Sequence, residues 1–243
     1  MKIIAIDSSG LTASVAVAQE GVILAEYNVS YQKTHSQTLL PMLEELKKMI
    51  ELDLSTIDAI ALAKGPGSFT GLRIGSATAK GLGMALDLPI IEIPTVEGLA
   101  TNLYGTDKII CPIMDARRNQ VYTGLFEYVG SGEEDKEYKL HTLLSDVPLS
   151  IEEIADKCNE TGREIIFLGD GVPVFREKLK ELMKVPYSFA PASHQRQRAA
   201  AFATLAFQYL AEGKTVKAGE HAPEYLRLSQ AERVKSEKGD ASS

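Results

Sequence analysis

The chain has 243 residues, 44% of them apolar and 24% charged, with a formal net charge of −7 and two cysteines. This composition fits one large soluble domain or two small lobes. It holds no apolar run near the roughly 18 residues that cross a bilayer and no secretory leader pattern, so a cytoplasmic protein is expected, and its acidity disfavours an unaided grip on nucleic acid.

Residues 3–6 form a short apolar run that reads as a buried strand, closed by the turn signal Asp7-Ser8-Ser9-Gly10. Residues 12–18 and 22–29, rich in β-branched side chains and parted by Gln19-Glu20-Gly21, complete an antiparallel meander. A helix follows, capped by Ser36 or Thr38. With Thr38 as the cap, Pro41 falls in the first turn, where its missing N–H has no partner to lose. Leu39, Met42, Leu43, Leu46, Met49 and Ile50 line one stripe of that helix, and Leu40 lies off it among Lys47 and Glu51. Then come a strand at 57–63, a Gly/Pro turn at 64–68, a helix from Thr70 to Leu86, a strand at 89–93 and a helix at 95–103.

A second set repeats these types. Strands are expected at 109–114, 121–128 and 138–144, with an exposed turn at 130–135. Ser150 caps a helix reaching Asn159, with Glu152 and Glu153 in the first turn where the helix dipole favours them. A strand at 165–168 and helices at 173–183 and 198–212 follow. The expected organisation is two lobes of β-β-β-α-β-α type, 1–104 and 105–228, and a fraying polar tail at 229–243. Cys111 and Cys158 are far apart in sequence and read as small core residues.

The helix from Thr70 is too apolar for one sheet. Arg73, Ser76, Lys80 and Asp87 fall within about 60° of its wheel, and the rest of the perimeter is apolar or small. Gly75, Gly81 and Gly83 each cost up to about 1 kcal/mol of helix propensity, which close approach of another backbone would offset. Either the helix is wedged between its sheet and a neighbour in the same chain, or part of its surface awaits a partner.

The stretch Gly65-Pro66-Gly67-Ser68-Phe69-Thr70-Gly71-Leu72-Arg73-Ile74-Gly75 resembles the signature of the TsaB (YeaZ) family. So do Ile6-Asp7-Ser8-Ser9, His35-Ser36-Gln37-Thr38-Leu39-Leu40-Pro41, Met114-Asp115-Ala116-Arg117-Arg118 with Val121-Tyr122, and Pro223-Glu224-Tyr225-Leu226-Arg227. The resemblance implies an α/β, actin-like (ASKHA, ribonuclease H-like) fold of two lobes with duplicated β-β-β-α-β-α units. It implies a non-catalytic part in placing threonylcarbamoyl on adenosine 37 of tRNAs that read codons beginning with A. The partner it implies is TsaD, the metal-dependent paralogue that performs the transfer, joined by the ATPase TsaE. Homodimers, and contact with tRNA only through the complex, are implied as well.

The contact with TsaD would run through the helices at 35–51 and 68–87. The expected interface residues are His35, Leu39, Leu40, Met42, Leu43, Phe69, Leu72, Arg73, Ser76, Ala79, Lys80 and Gly83. The catalytic relatives bind metal through two histidines four apart on one helix. Here the position four after His35 is Leu39, which has no lone pair to offer, and His141, His194 and His221 are isolated in sequence. No catalytic residue, metal or required cofactor is expected in this chain, and any ATP or ADP belongs at the partner interface.

Actin-like ATPases cradle phosphate between two hairpins, and by that analogy Asp7, Ser8, Ser9, Gly10, Arg117, Gly169 and Gly171 are candidates for a nucleotide or anion site. The alternative function is then a sugar-kinase-like ATP-dependent enzyme. The same residues also read as capped turns, and Arg117 and Arg118 as surface salt-bridge partners. The glycine-rich stretch lacks the lysine of a P-loop, and Phe69 in its middle suits packing and partner contact better than phosphate.

Overall fold

The first strand, β1 (Lys2–Asp7), is an apolar run because both faces are covered: Ile3 to Asp7 are all buried. Ile4 and Ile6 point to one layer of helices, and Ile3 and Ala5 to another. The structure is a computed structural model that describes residues 1–31, 35–130 and 137–226. The expected tail, Arg227 and most of the turn at 130–135 lie outside these residues.

The first sheet contains β1, β2 (Ala13–Gln19), β3 (Val22–Val29), β4 (Ala59–Gly65) and β5 (Ile90–Pro94) in the order β3-β2-β1-β4-β5. Its three leading strands are antiparallel, and β4 and β5 run parallel to β1. The second sheet contains β6 (Ile109–Asp115), β7 (Gln120–Gly130), β8 (Tyr138–Ser150), β9 (Ile165–Leu168) and β10 (Tyr187–Phe189) in the order β10-β9-β6-β7-β8. Parallel and antiparallel pairings repeat those of the first sheet. This duplicated arrangement is the two-lobed actin-like α/β fold. Only β10 had no counterpart in the sequence reading, since three residues are too few to show a period.

The helices are α1 (His35–Met49), α2 (Phe69–Leu86), α3 (Thr95–Ala100), α4 (Ile151–Glu160), α5 (Gly171–Leu182) and α6 (Ala199–Ala211). Helix α4 begins where read, with a capping box in which Ser150 and Glu153 satisfy each other's backbone amides. Helix α1 begins two residues earlier than a cap at Ser36 would set it and four earlier than one at Thr38, so Pro41 sits in its second turn. There it withholds the N–H that the Gln37 carbonyl would otherwise receive. Met49, expected on the buried stripe, is mostly exposed at the helix end.

Two helices cross between lobes. Val96, Leu99 and Ala100 of α3 pack on the second sheet with Ile110, Met114, Phe126 and Leu168. Helix α6 covers the first sheet: Ala199, Phe202, Ala203 and Ala206 meet Ile3, Ala5, Ala16, Ala61 and Ile93. The many alanines on both sides let helix and sheet approach closely. Ser14 on β2 and Glu26 on β3 accept the first amides of α6, from Ala199 at 2.6 Å and Ala200 at 2.9 Å. The strands before and after residue 104 thus lie in different sheets, while α6, late in the chain, packs on the first. The two crossing helices touch at Gly98, whose Cα lies against the Phe202 ring.

After α6 the chain returns across the first lobe. Val216 exchanges two backbone hydrogen bonds with Ile90 at the free edge of β5. Ala218 packs on Gly83, Lys80 Nζ donates to the carbonyls of Gly219 and His221, and the Glu224 amide donates to the Lys64 carbonyl. The polar stripe of α2 thus faces this strap, and the same-chain reading of the helix holds for Ser76, Ala79 and Gly83, all buried.

Candidate functional site

Asp7 ends β1 and Asp115 ends β6, equivalent positions in the two sheets; Asp115 lines a cleft of about 610 Å³ between the lobes, and Asp7 lies behind cleft-lining Ser9. Ser9, Gly10, His35 and Ser68 line it from the first lobe, and Asp115, Arg117 and Asp170 from the second. Asp7 lies fully buried beneath Ser9, whose amide donates to Asp7 Oδ1 at 2.7 Å. Burial pushes the Asp7 carboxyl up to about 6, against the opposing pull of the Ser9 hydrogen bonds and His35. Asp115 Oδ1 accepts from the Arg117 amide at 2.8 Å, and its Oδ2 lies 3.1 Å from the Arg117 guanidinium. Asp170 accepts the Asp115 amide at 3.1 Å, and burial raises its carboxyl too.

The glycine-rich turn before α2 packs tightly on the Ser8–Ser9 turn. A Cβ at Gly67 or Gly71 would overlap the carbonyl oxygens of Ser9 or Ser8, and one at Gly75 would meet Ser8 Oγ. The Ser68 amide donates to the Ser9 carbonyl at 2.7 Å, and the Gly71 amide to Ser68 Oγ at 3.3 Å. These bonds take up the Ser68 and Gly71 amides at the start of α2. Ser8 is correspondingly removed from the candidate site, its hydroxyl donating to the Gly71 carbonyl at 2.8 Å. Gly169 and Gly171 pack on the Ile113 carbonyl, and neither is among the residues that line the cleft. Ser9, Gly10 and Arg117 remain at the cleft. Sequence reading missed Gln197, which is fully buried against Gly10, and the cleft-lining Leu11, Tyr31 and Val174. No local pattern marks Gln197.

A second candidate surface is the outer side of α1 and α2. Leu39, Met42, Leu43, Leu72, Ser76, Ala79 and Gly83, expected at a partner interface, are buried inside the protomer, because the sheet and the strap cover them. Leu40 is 54% exposed, and Arg73 is exposed. Half-buried Phe69 stacks on Tyr225 at 4.7 Å, with the Arg73 guanidinium 4.0 Å above the Phe69 ring. His35 Nε2 bonds to the Gly10 carbonyl at 2.8 Å, which anchors the start of α1 to the cleft. The exposed surface of α2 is small and apolar: Ala77, Gly81, Met84 and Ala85, with Met84 68% exposed.

The family model described as "TsaD: tRNA N6-adenosine threonylcarbamoyltransferase" matches residues 23–235. A "tRNA threonylcarbamoyladenosine biosynthesis protein TsaB" from Bacillus subtilis is 33% identical over 96% of each chain. The chain belongs to the TsaB (YeaZ) family. The Escherichia coli TsaB is 31% identical over 93% of this chain and 95% of its own. YeaZ from Pseudomonas aeruginosa superposes with a TM-score of 0.75 at 28% identity, covering 93% of this chain and all of that one.

Within this TsaB-family chain the family-like motifs converge. The glycines of 65–75 receive Ser8 and Ser9, and the Pro223–Leu226 part of the last motif lies along Lys64, Gly65 and Phe69. The histidines stay dispersed: His221 pairs with Glu92 at 2.7 Å, His141 lies near Glu127, and His194 bonds Ser193. Among the described residues no three His, Cys, Asp or Glu side chains group as metal ligands. Cys111 and Cys158 share one buried cluster, and burial, with Cys158 alongside, pushes the Cys111 thiol well up.

Proposed function

We propose that the chain is a non-catalytic subunit of tRNA threonylcarbamoyladenosine biosynthesis, docking a TsaD-type transferase through the outer face of α1 and α2, with TsaE joining the assembly. The observation that carries this reading is the exposed, small and apolar surface of α2 together with Leu40 on the neighbouring helix. Leu39, one turn beyond His35, is a core residue, which supports the absence of a metal-ligating pair. In this reading the protein works in the cytoplasm, tRNA is held by the complex rather than by this acidic chain, and the same face serves a homodimer when TsaD is absent. Nucleotide, where the assembly uses it, is held at the partner interface.

Leu40→Glu and Met84→Glu test the face. Each leaves the chain folded, since both side chains already meet water, and each is expected to weaken the TsaD complex at least 100-fold, or about 2.7 kcal/mol, by burying an unpaired charge. Full complex formation by both variants on size exclusion disproves the docking face. Depletion followed by nucleoside mass spectrometry of bulk tRNA tests the role itself, with loss of threonylcarbamoyladenosine expected.

A further inference from the structure

Near the start of α2, three side chains from two distant parts of the chain form a stack. The Phe69 ring lies 4.7 Å from the ring of Tyr225 on the strap, and the Arg73 guanidinium sits 4.0 Å over the same Phe69 ring. Arg73 Nε also donates to Tyr225 Oη at 3.4 Å. Tyr225 is placed in turn by its neighbour: the Glu224 amide donates to the Lys64 carbonyl at 2.9 Å, and the Glu224 carboxylate lies 3.4 Å from Lys64 Nζ. The strap therefore holds an arginine that its own helix would leave free to turn.

This arginine faces outward with its charge unspent. It is exposed, and among the described residues no carboxylate pairs with it, in a chain of net charge −7. Only Nε is used, so the two Nη groups of its planar fork stay available to a carboxylate. At 100° per residue, Ala77 and Met84 fall within about 40° of Arg73 on the α2 wheel. Both are exposed, so the arginine is continuous with the apolar strip of α2. That setting suits a protein surface. A nucleic-acid backbone would set phosphates against Ala77 and Met84 and against an acidic chain. Arginines and tyrosines held in place beforehand are the residues from which protein contacts gain most, since little freedom is lost on binding.

We propose that the strap builds part of the docking face: Phe69 and Tyr225 fix Arg73 so that its guanidinium donates to a carboxylate of the TsaD-type partner, beside the apolar contact. This assignment rests on the docking of that transferase by α1 and α2, to which it adds the charged group that the partner supplies. Arg73 is the contact, and Tyr225 is a positioning residue that acts through it.

Calorimetric titration of the full chain with TsaD tests it. Arg73→Met is expected to weaken the complex by about 10-fold or more, and added salt to weaken the parent complex more steeply than the Arg73→Met complex. Arg73→Lys, which keeps the charge but loses the planar fork, is expected to stay about 5-fold weaker than the parent. Tyr225→Phe keeps the ring and removes the hydroxyl that Arg73 bonds; it is expected to cost about 3-fold, and nothing further when Arg73 is already methionine. Parent-like affinity in Arg73→Met, full recovery in Arg73→Lys, or additive losses in the double variant overturn the proposal. So does an Arg73→Met complex that forms normally but holds tRNA less well. Where Leu40→Glu and Met84→Glu weaken the complex and the Arg73 and Tyr225 variants do not, the docking face stands without this contact; normal binding by all of them removes both. Should Arg73→Met fail to fold, Arg73→Lys and Tyr225→Phe decide.

Discussion

Asp7 concentrates the electrostatic tension of the first lobe. Its folded pKa of about 6 lies above the ordinary 3.8, so the folded chain holds this proton more tightly than the unfolded chain. The stability so gained is complete below about pH 4 and is lost as pH rises through about 6; two pKa units correspond to about 3 kcal/mol. Urea unfolding of the parent and of Asp7→Asn is expected to show the parent losing that amount relative to the variant between about pH 4 and 7. A pH-independent difference contradicts the assignment. Gly71 is the steric counterpart: Gly71→Ala pushes a methyl into the Ser8 carbonyl and is expected to destabilise by about 3 kcal/mol. Gly81, with open space where a Cβ would lie, is expected to gain up to about 1 kcal/mol on Gly81→Ala. Asp7 was legible as a turn carboxylate because it ends an apolar run. Gln197 was not, since only tertiary contact with Gly10 gives it meaning.

At the scale of elements, helix α2 shows where a wheel helps and where it misleads. Its excess of apolar positions correctly marked burial on more than one side. Arg73, Ser76 and Lys80 of its polar stripe were expected at a partner interface, yet Ser76 is buried and Lys80 serves strap carbonyls about 140 residues away in sequence. No local periodicity encodes that contact. Lys80→Met is expected to raise amide exchange at Val216 and Glu224 about tenfold while the amides of β1 and β4 keep their protection. Unchanged exchange at those two amides means the strap is held without the lysine. Helix α4 is the opposite case, because its capping box lies within four adjacent residues and could be read from them alone.

At the scale of the molecule, the sheets could be read from the repeated order of strands and helices, but the helix exchange could not. Periodicity tells which side of a helix is apolar and says nothing of which sheet meets it. The exchange makes the lobes interdependent. A fragment of residues 1–104 leaves Ile3, Ala5, Ala61 and Ile93 without the cover of α6, and it is expected to give the poorly dispersed amide spectrum of an unfolded chain. A well-dispersed spectrum shows instead that the first lobe stands alone. Phe202→Ala, which empties the contact over Gly98, is expected to destabilise both lobes together by about 3–5 kcal/mol in a single transition.

The same crossing sets a timetable for synthesis. Translation delivers the first sheet early, but the alanine-rich helix that shields one of its sides comes only after residue 198. Until that stretch has emerged, the row of isoleucines and alanines on one side of the first sheet lacks its native cover.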